Sequence, residues 1–160
     1  MTDFAKSWNL SRGRLKAEIE GFSHAQMSYR IQPGALSVGE MVVHVAGVEI
    51  WFNSQLTGRE LSPEEQRVAK SATEGVVNDN PFPFSDEEIT PELVAWALDT
   101  AESHLRSNIE NPSPEFLAKE IKSALGPIIT GEGALARFAF HPGYHQGQVY
   151  LYKTSPDFPA

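Results

Sequence analysis

Two histidines near the end of the sequence have the spacing of a metal-binding pair. His141 and His145 are four residues apart, so on a continuous helix they lie one turn apart on the same face. Two imidazoles placed in this way can bind one ion. The same spacing also occurs on a half-buried helix face that packs against aromatic neighbours, and the pair alone leaves both interpretations open.

A third histidine stands inside an apolar stretch. His44 lies between Met41 and Val45, and a buried imidazole needs a partner because an unpaired polar group in an apolar core costs free energy. A hydrogen bond to a carbonyl or a carboxylate explains His44 if it is considered alone. Together with His141 and His145, it predicts three inward-facing histidines that share one divalent metal ion.

The remaining polar candidates have weaker signals. His24 and His104 have polar sequence neighbours, and we predict both as surface or boundary residues. Metal-bound histidines usually donate their second ring N–H to a carboxylate, carbonyl or water, so Glu40, Glu49 and Gln148 are candidate partners. The spacing identifies no general base. Aromatic residues that either line a pocket or pack in the core are Trp51, Phe52, Tyr144, Tyr150 and Tyr152.

Four long amphipathic stretches are available to position these residues. Each has apolar residues at steps of three, four or seven, the spacing of one helix face. The second has a capping box, Ser37 with Glu40, and ends at Gly58; the third starts at Thr90 and cannot pass Pro112. The predicted apolar faces are Phe4, Trp8, Leu15, Ile19 and Phe22; Met41, Val45, Val48, Phe52 and Leu56; Val94, Leu98, Ala101, Leu105 and Ile109; and Leu135, Phe138, His141, His145, Val149 and Tyr152.

Shorter features complete the predicted fold. Ser62 and Pro63 favour a short exposed helix, and Pro142 requires the last helix to kink or restart, of which a kink agrees better with the continuing apolar spacing. Apart from isolated short strands near Ile128, nothing alternates long enough to predict a sheet. We therefore predict one all-α domain over residues 1–160, a helix bundle with short accessory helices.

Composition limits the class of protein. The formal net charge is −8, which repels nucleic acid, and the absence of cysteine excludes disulfides, thiolate metal sites and a catalytic cysteine. The N-terminal residues do not resemble a secretory signal, and no apolar run approaches the roughly 20 residues that span a bilayer. These features predict a cytoplasmic protein with no nucleic-acid or membrane partner.

Two segments resemble the DinB/YfiT-like superfamily. The stretch from Ser37 to Glu49, followed by Trp51, is similar to the second-helix signature of that family, and 141–148 is similar to its last-helix motif, in which two histidines four apart precede Gly-Gln. The resemblance implies a four-helix bundle, commonly dimeric, whose metal ligands are carried onto His44, His141 and His145. The implied ion is zinc, nickel or a similar divalent metal.

The predicted chemistry follows from three imidazole ligands and open coordination positions. Several members of the superfamily that the chain resembles are similar to thiol-dependent transferases or isomerases that use a low-molecular-weight thiol. We therefore predict a metal-dependent S-transferase or hydrolase that acts on a small electrophilic substrate. The alternative is a non-catalytic, stress-related bundle whose metal is structural or which sequesters a ligand, and an interaction module without metal ranks last.

Overall fold

The computed structural model describes residues 1–123 and 125–160. The regular structure of these residues is mostly helical, as predicted, with one small sheet. The elements are α1 (Asp3–Glu18), α2 (His24–Met27), α3 (Val38–Thr57), α4 (Pro63–Lys70), α5 (Pro91–Glu110), α6 (Pro114–Ala118), β1 (Glu120–Lys122), β2 (Ile128–Thr130) and α7 (Gly131–Lys153).

Local sequence signals set the helix ends. Ser37 and Ser62 each form a capping box, with Glu40 and Glu65 respectively, at the start of α3 and α4. Helix α3 ends at Gly58, whose φ of 74° is the left-handed conformation that glycine adopts without a Cβ clash. The predicted start and end of α3 and the predicted start of α4 are therefore confirmed.

Helix α1 is shorter than the sequence predicts. The apolar stripe continues to Phe22, but the helix ends at Glu18 and the chain turns at Gly21, which has a φ of 76°. Ile19 and Phe22 are nevertheless buried, because the turn folds them back onto the same core. Apolar spacing detects burial, and here it overestimates the length of the helix.

The four long helices form a closed set of contacts. Helix α1 packs on α7 and α5, and α3 packs on α5 and α7, while α4 packs against α3. The predicted apolar faces of α3 and α5 are buried throughout. Helix α3 contributes to both apolar clusters of the core, which explains why most of its circumference is buried.

Two features differ from or refine the expected fold. Strands β1 and β2 form an antiparallel pair in which Ile121 faces Ile129, and three residues per strand are too few for a visible alternation. Helix α7 continues through Pro142 without a restart, as the apolar spacing predicts. None of the described helices is long and apolar enough to cross a membrane.

Candidate metal centre

Helix α3 places His44 in the interior. The Ser37 capping box fixes the start of the helix, and His44 follows in its second turn, where both chain neighbours, Val43 and Val45, are fully buried. The imidazole itself is only 5% exposed. A polar ring at such a position must be satisfied within the protein or by a ligand.

Helix α7 presents the other two histidines. Thr130 caps its first turn by accepting a hydrogen bond from the Gly133 N–H, and the helix carries His141 and His145 one turn apart. His145 is 5% exposed, while His141 is half-buried. Because α7 packs against α3, both rings face the helix that carries His44.

The structure brings the three predicted histidines together. Ring centroids are 4.9 Å apart for His44 and His141, 5.2 Å for His44 and His145, and 4.6 Å for His141 and His145. The Nε2 atoms of His141 and His145 are 3.0 Å apart. One ring nitrogen from each histidine lies within 4.8 Å of the other two, so the group could hold one metal ion.

A backbone carbonyl orients His44. The Nδ1 atom of His44 donates a hydrogen bond to the carbonyl oxygen of Ser71 at 2.7 Å. This bond places the proton on Nδ1 and leaves the lone pair on Nε2, the arrangement that metal-binding histidines use. Ser71 follows α4, so a short peripheral helix contributes to the orientation of the site.

The two histidines of α7 are not fully satisfied by the protein. Their Nδ1 atoms are buried and have no hydrogen-bond partner among the described residues, while their Nε2 atoms face each other. Buried polar atoms are nearly always paired in folded proteins. Between two neutral rings the contact of the Nε2 atoms uses one N–H and one lone pair, and a shared ion would instead bind the lone pairs of both Nε2 atoms.

Burial keeps the three imidazoles neutral. Desolvation, with repulsion from the neighbouring histidines, lowers the pKa of His141 to about 2. Desolvation and the proximity of His44 lower the pKa of His145 to about 4. Burial also lowers the pKa of His44, although its bond to Ser71 opposes the shift. Neutral imidazole is the form that binds metal.

The histidines border a cavity of about 580 Å³. This volume is typical of small-molecule sites. Of the five aromatic residues considered as pocket residues, Phe52, Tyr144 and Tyr152 line the cavity. No aspartate or glutamate is among its described lining residues, so a carboxylate base is absent from that part of the wall.

The predicted carboxylate partners have other roles. Glu49 is fully buried and accepts hydrogen bonds from Trp8 and Arg12, whereas Glu40 pairs with Arg30. Gln148 lines the cavity beside the histidines. The partner of His44 is instead a main-chain carbonyl, which no side-chain pattern can reveal.

The two histidines outside the group differ from each other. His24 is exposed, as predicted, and its Nε2 atom lies 2.8 Å from the carbonyl oxygen of Asp86. The prediction for His104 is wrong: it is 4% exposed, and its Nε2 atom lies 2.7 Å from Glu65 Oε1. The carboxylate that permits this burial is 39 residues away in sequence, so the neighbours of His104 give no indication of it.

Sequence reasoning also missed Arg137. It lines the cavity from α7 and precedes His141 by four residues, the same separation as between the two histidines. That spacing was the available signal, because it places Arg137 on the histidine face of the helix.

No protein-family model matches the chain, and no curated protein matches it. The function is therefore inferred from the site itself.

Proposed function

We propose that this protein is a metal-dependent enzyme in which His44, His141 and His145 hold one divalent ion at the wall of a substrate cavity. The observation that carries the proposal is the convergence of three neutral imidazoles, from two helices, on one border of that cavity. Three protein ligands at a cavity wall leave coordination positions open, which is the arrangement of catalytic metal sites.

We further propose that the fold is a four-helix bundle of the DinB/YfiT-like kind. The contacts of α1 with α7 and α5, and of α3 with α5 and α7, support a closed bundle. The two segments that resemble the family signature, 37–49 and 141–148, carry all three histidines. Bundles of this type build metal sites from side chains on facing helices.

Zinc or nickel is the proposed ion. Imidazole ligands suit both metals, and the site has no sulfur ligand because the chain has no cysteine. When bound, such an ion would lower the pKa of a coordinated thiol or water and so supply a nucleophile at neutral pH.

The composition of the cavity favours thiol transfer over hydrolysis. No carboxylate is among the described lining residues, and the three imidazoles are proposed as ligands, so neither a carboxylate nor a free imidazole is available there as the base that would activate water. A coordinated thiol loses its proton without a base more readily than water does, because the pKa of a thiol is already close to neutral. The proposed reaction is therefore transfer of a low-molecular-weight thiol to a small electrophile, with hydrolysis as the second possibility.

A structural metal is the competing function. The three histidines join α3 to α7, and two of them are 5% exposed, as expected of an ion that fixes helix packing. The cavity argues against this alternative, because closed structural sites have four protein ligands and no open side. Metal removal separates the two and is considered in the Discussion.

The proposed partners are a small-molecule substrate and a second copy of the chain, without nucleic acid or membrane. An exposed apolar stripe on α7 supports a homodimer: Phe140 is 64% exposed, Tyr144 51% and Leu151 61%. Sedimentation showing only monomer across micromolar concentrations would contradict it. The cytoplasm is the proposed location, because its reducing conditions preserve a free thiol cosubstrate.

Metal analysis of protein purified without an affinity tag tests the site. We expect one transition-metal ion per chain, and we expect His44→Ala, His141→Ala and His145→Ala each to lose it. The affinity loss should exceed the about 10- to 100-fold that removal of an outer-shell partner causes. His24→Ala is the matched control, because His24 is exposed and outside the cavity. Full occupancy in the three variants would contradict the assignment.

A separate assay tests catalysis. The metal-loaded protein is incubated with a candidate low-molecular-weight thiol and an aryl chloride such as 1-chloro-2,4-dinitrobenzene. A carbon–sulfur bond forms, the carbon–chlorine bond breaks, chloride leaves, and the thiol proton passes to solvent. We expect thioether formation that the histidine variants lack. A filled metal site without any such reaction across thiols and electrophiles would contradict the enzyme proposal and leave the metal site intact.

A further inference from the structure

Arg137 stands beside the three-histidine group on the same wall of the cavity. It precedes His141 by one helical turn on α7, and both residues line the cavity. With a rise of about 1.5 Å per residue, the two Cα atoms are separated by about 6 Å along the helix axis. A ligand several bonds long can therefore contact the guanidinium and the metal position together.

The charge of Arg137 is not neutralised by the described part of the protein. Its Nη1 atom donates to the Gly133 carbonyl oxygen at 3.1 Å, and no described carboxylate lies within ion-pair distance. The chain has a net charge of −8, so carboxylates are abundant, and other arginines are paired with them. The paired arginines are Arg12, Arg30, Arg59, Arg67 and Arg106.

The burial of Arg137 makes this charge available to a ligand. The side chain is half-buried at the cavity, whereas Arg14, which also lacks a described ion-pair partner, is exposed away from it. A guanidinium in a partly desolvated site attracts an anion more strongly than one in open solvent. Its remaining N–H groups match the two oxygens of a carboxylate.

The rest of the wall is suited to an apolar group. Among the described residues that line the cavity, only Arg137 carries a permanent charge. Most of the others are aliphatic or aromatic, such as Val48, Phe52, Val77 and Leu125. A ligand that fits this wall has one anionic end and an apolar body.

We propose that the cavity binds an organic monocarboxylate with an apolar body, whose carboxylate pairs with Arg137 while its reactive atom lies at the three-histidine group. The assignment of this ligand as the substrate rests on the proposed function. A carboxylate fits better than a phosphate monoester, which carries a charge of about −1.5 to −2 and would exceed what one guanidinium balances. Arg137 is thus a specificity-determining residue.

Calorimetric titration with a matched pair of probes tests this proposal. The probes are 4-phenylbutanoate and 4-phenylbutanamide, which share the apolar body and differ in charge. The protein is first treated with a chelator, so that a carboxylate cannot bind to metal instead of Arg137. We expect at least about 10-fold tighter binding of the carboxylate, equivalent to about 1.4 kcal/mol.

Substitutions identify the source of the preference. Arg137→Gln should remove the preference for the carboxylate and leave binding of the amide unchanged. Arg14→Gln is the matched control and should keep the preference. Arg137→Met, which retains most of the apolar stem, is the second variant. It should also lose the preference for the carboxylate, and it replaces Arg137→Gln in the test if Arg137→Gln does not fold. Equal binding of the two probes to the unmodified protein, or a preference that survives both Arg137 variants, would overturn the proposal.

The metal analysis is independent of this result. If the protein purified without an affinity tag binds no metal, but the chelator-treated protein prefers the carboxylate through Arg137, the proposed enzyme is refuted and the carboxylate site is retained. If the purified protein binds metal, but the chelator-treated protein binds both probes equally, only the role of Arg137 is refuted.

Discussion

The Nδ1 atom of His44 lies 2.7 Å from the backbone carbonyl oxygen of Ser71, a residue that follows a separate short helix. Ser71 is held in place by its own hydroxyl group, whose oxygen lies 2.6 Å from the carbonyl oxygen of Val68 and 3.0 Å from that of Val43, so that its one hydrogen is shared between these two acceptors. The orientation of one candidate ligand therefore depends on how closely α4 approaches α3.

Gly47 permits this approach, and Gly47→Ala should disturb the site. An added Cβ would lie 2.2 Å from Ser71 Oγ and 2.4 Å from the Val68 carbonyl oxygen, so the two helices would have to separate. We expect about 1–3 kcal/mol of lost stability from overpacking. Metal affinity should fall by about 10- to 100-fold, because His44 loses its partner. Urea unfolding and metal titration measure the two effects.

A control for this substitution is available on α1. Gly13 is exposed, and a Cβ at that position would meet nothing within 4 Å. Gly13→Ala should therefore stabilise the protein by about 0.5–1 kcal/mol through helix propensity and leave metal affinity unchanged. If Gly47→Ala retained the affinity of the unmodified protein, the orienting role of Ser71 would be wrong.

The sequence could predict His44 as a candidate ligand, but it could not predict Ser71 as the hydrogen-bond partner of His44. Three histidines were identifiable because helical spacing and apolar surroundings are local properties. The Ser71 carbonyl was not, since every residue has one and only the packing of α4 on α3 selects it. Arg137 is an intermediate case. Its helical spacing from His141 is visible in the sequence, but the cavity that it lines is formed by several elements and is not.

The same reasoning applies to the fold. Caps such as Ser37 and Thr90 predict helix starts because one side chain bonds the backbone within its own turn. The burial of His104 was missed because it depends on Glu65 from another helix. The end of α1 was missed because the apolar spacing continues past the turn at Gly21.

A buried ion pair joins α1 to α3, and Glu49→Gln should destabilise the protein strongly. Glu49 is 1% exposed, bonds Trp8 Nε1 at 2.8 Å and pairs with Arg12, which also donates to the Leu98 carbonyl of α5. In Glu49→Gln the buried Arg12 keeps only Glu102, at 3.6 Å, as a charged partner among the described residues, and loss of one partner of a buried pair costs about 3–5 kcal/mol. Chemical denaturation measures this. The double variant Arg12→Met/Glu49→Leu should recover much of the loss, and additive losses would contradict the pairing.

Acid should weaken the contact between Glu88 and Arg67. The Arg67 hydrogen bond, with the Ser85 N–H, lowers the pKa of Glu88 from 4.5 to about 2. The unfolded chain therefore binds the proton more readily than the folded chain, and the stability due to this pair is complete above pH 4.5 and lost as the pH falls towards 2. Glu88→Gln should be less stable than the unmodified protein at pH 7 and equal to it near pH 2.

Salt and a second substitution check the origin of that effect. Both side chains are exposed, so the difference at pH 7 should shrink as ionic strength rises. Arg67→Gln should remove the same pH dependence, because it removes the first cause of the shift. If the stability difference between Glu88→Gln and the unmodified protein were the same at pH 7 and at pH 2, the pairing would be contradicted.

Metal removal distinguishes a catalytic ion from a structural one. The apolar clusters of the core contain residues of all four long helices and do not depend on the three histidines, so the chain should fold without metal. Chelator treatment should leave the far-ultraviolet circular dichroism spectrum unchanged. It should lower the unfolding free energy only by the amount that metal binding to the folded state had added, which is about 2.7 kcal/mol for free metal at 100 times Kd. His44→Ala, His141→Ala and His145→Ala should likewise stay folded while they lose metal and turnover. Cooperative unfolding on chelation, as in a small zinc-dependent domain, would favour the structural ion over the enzyme.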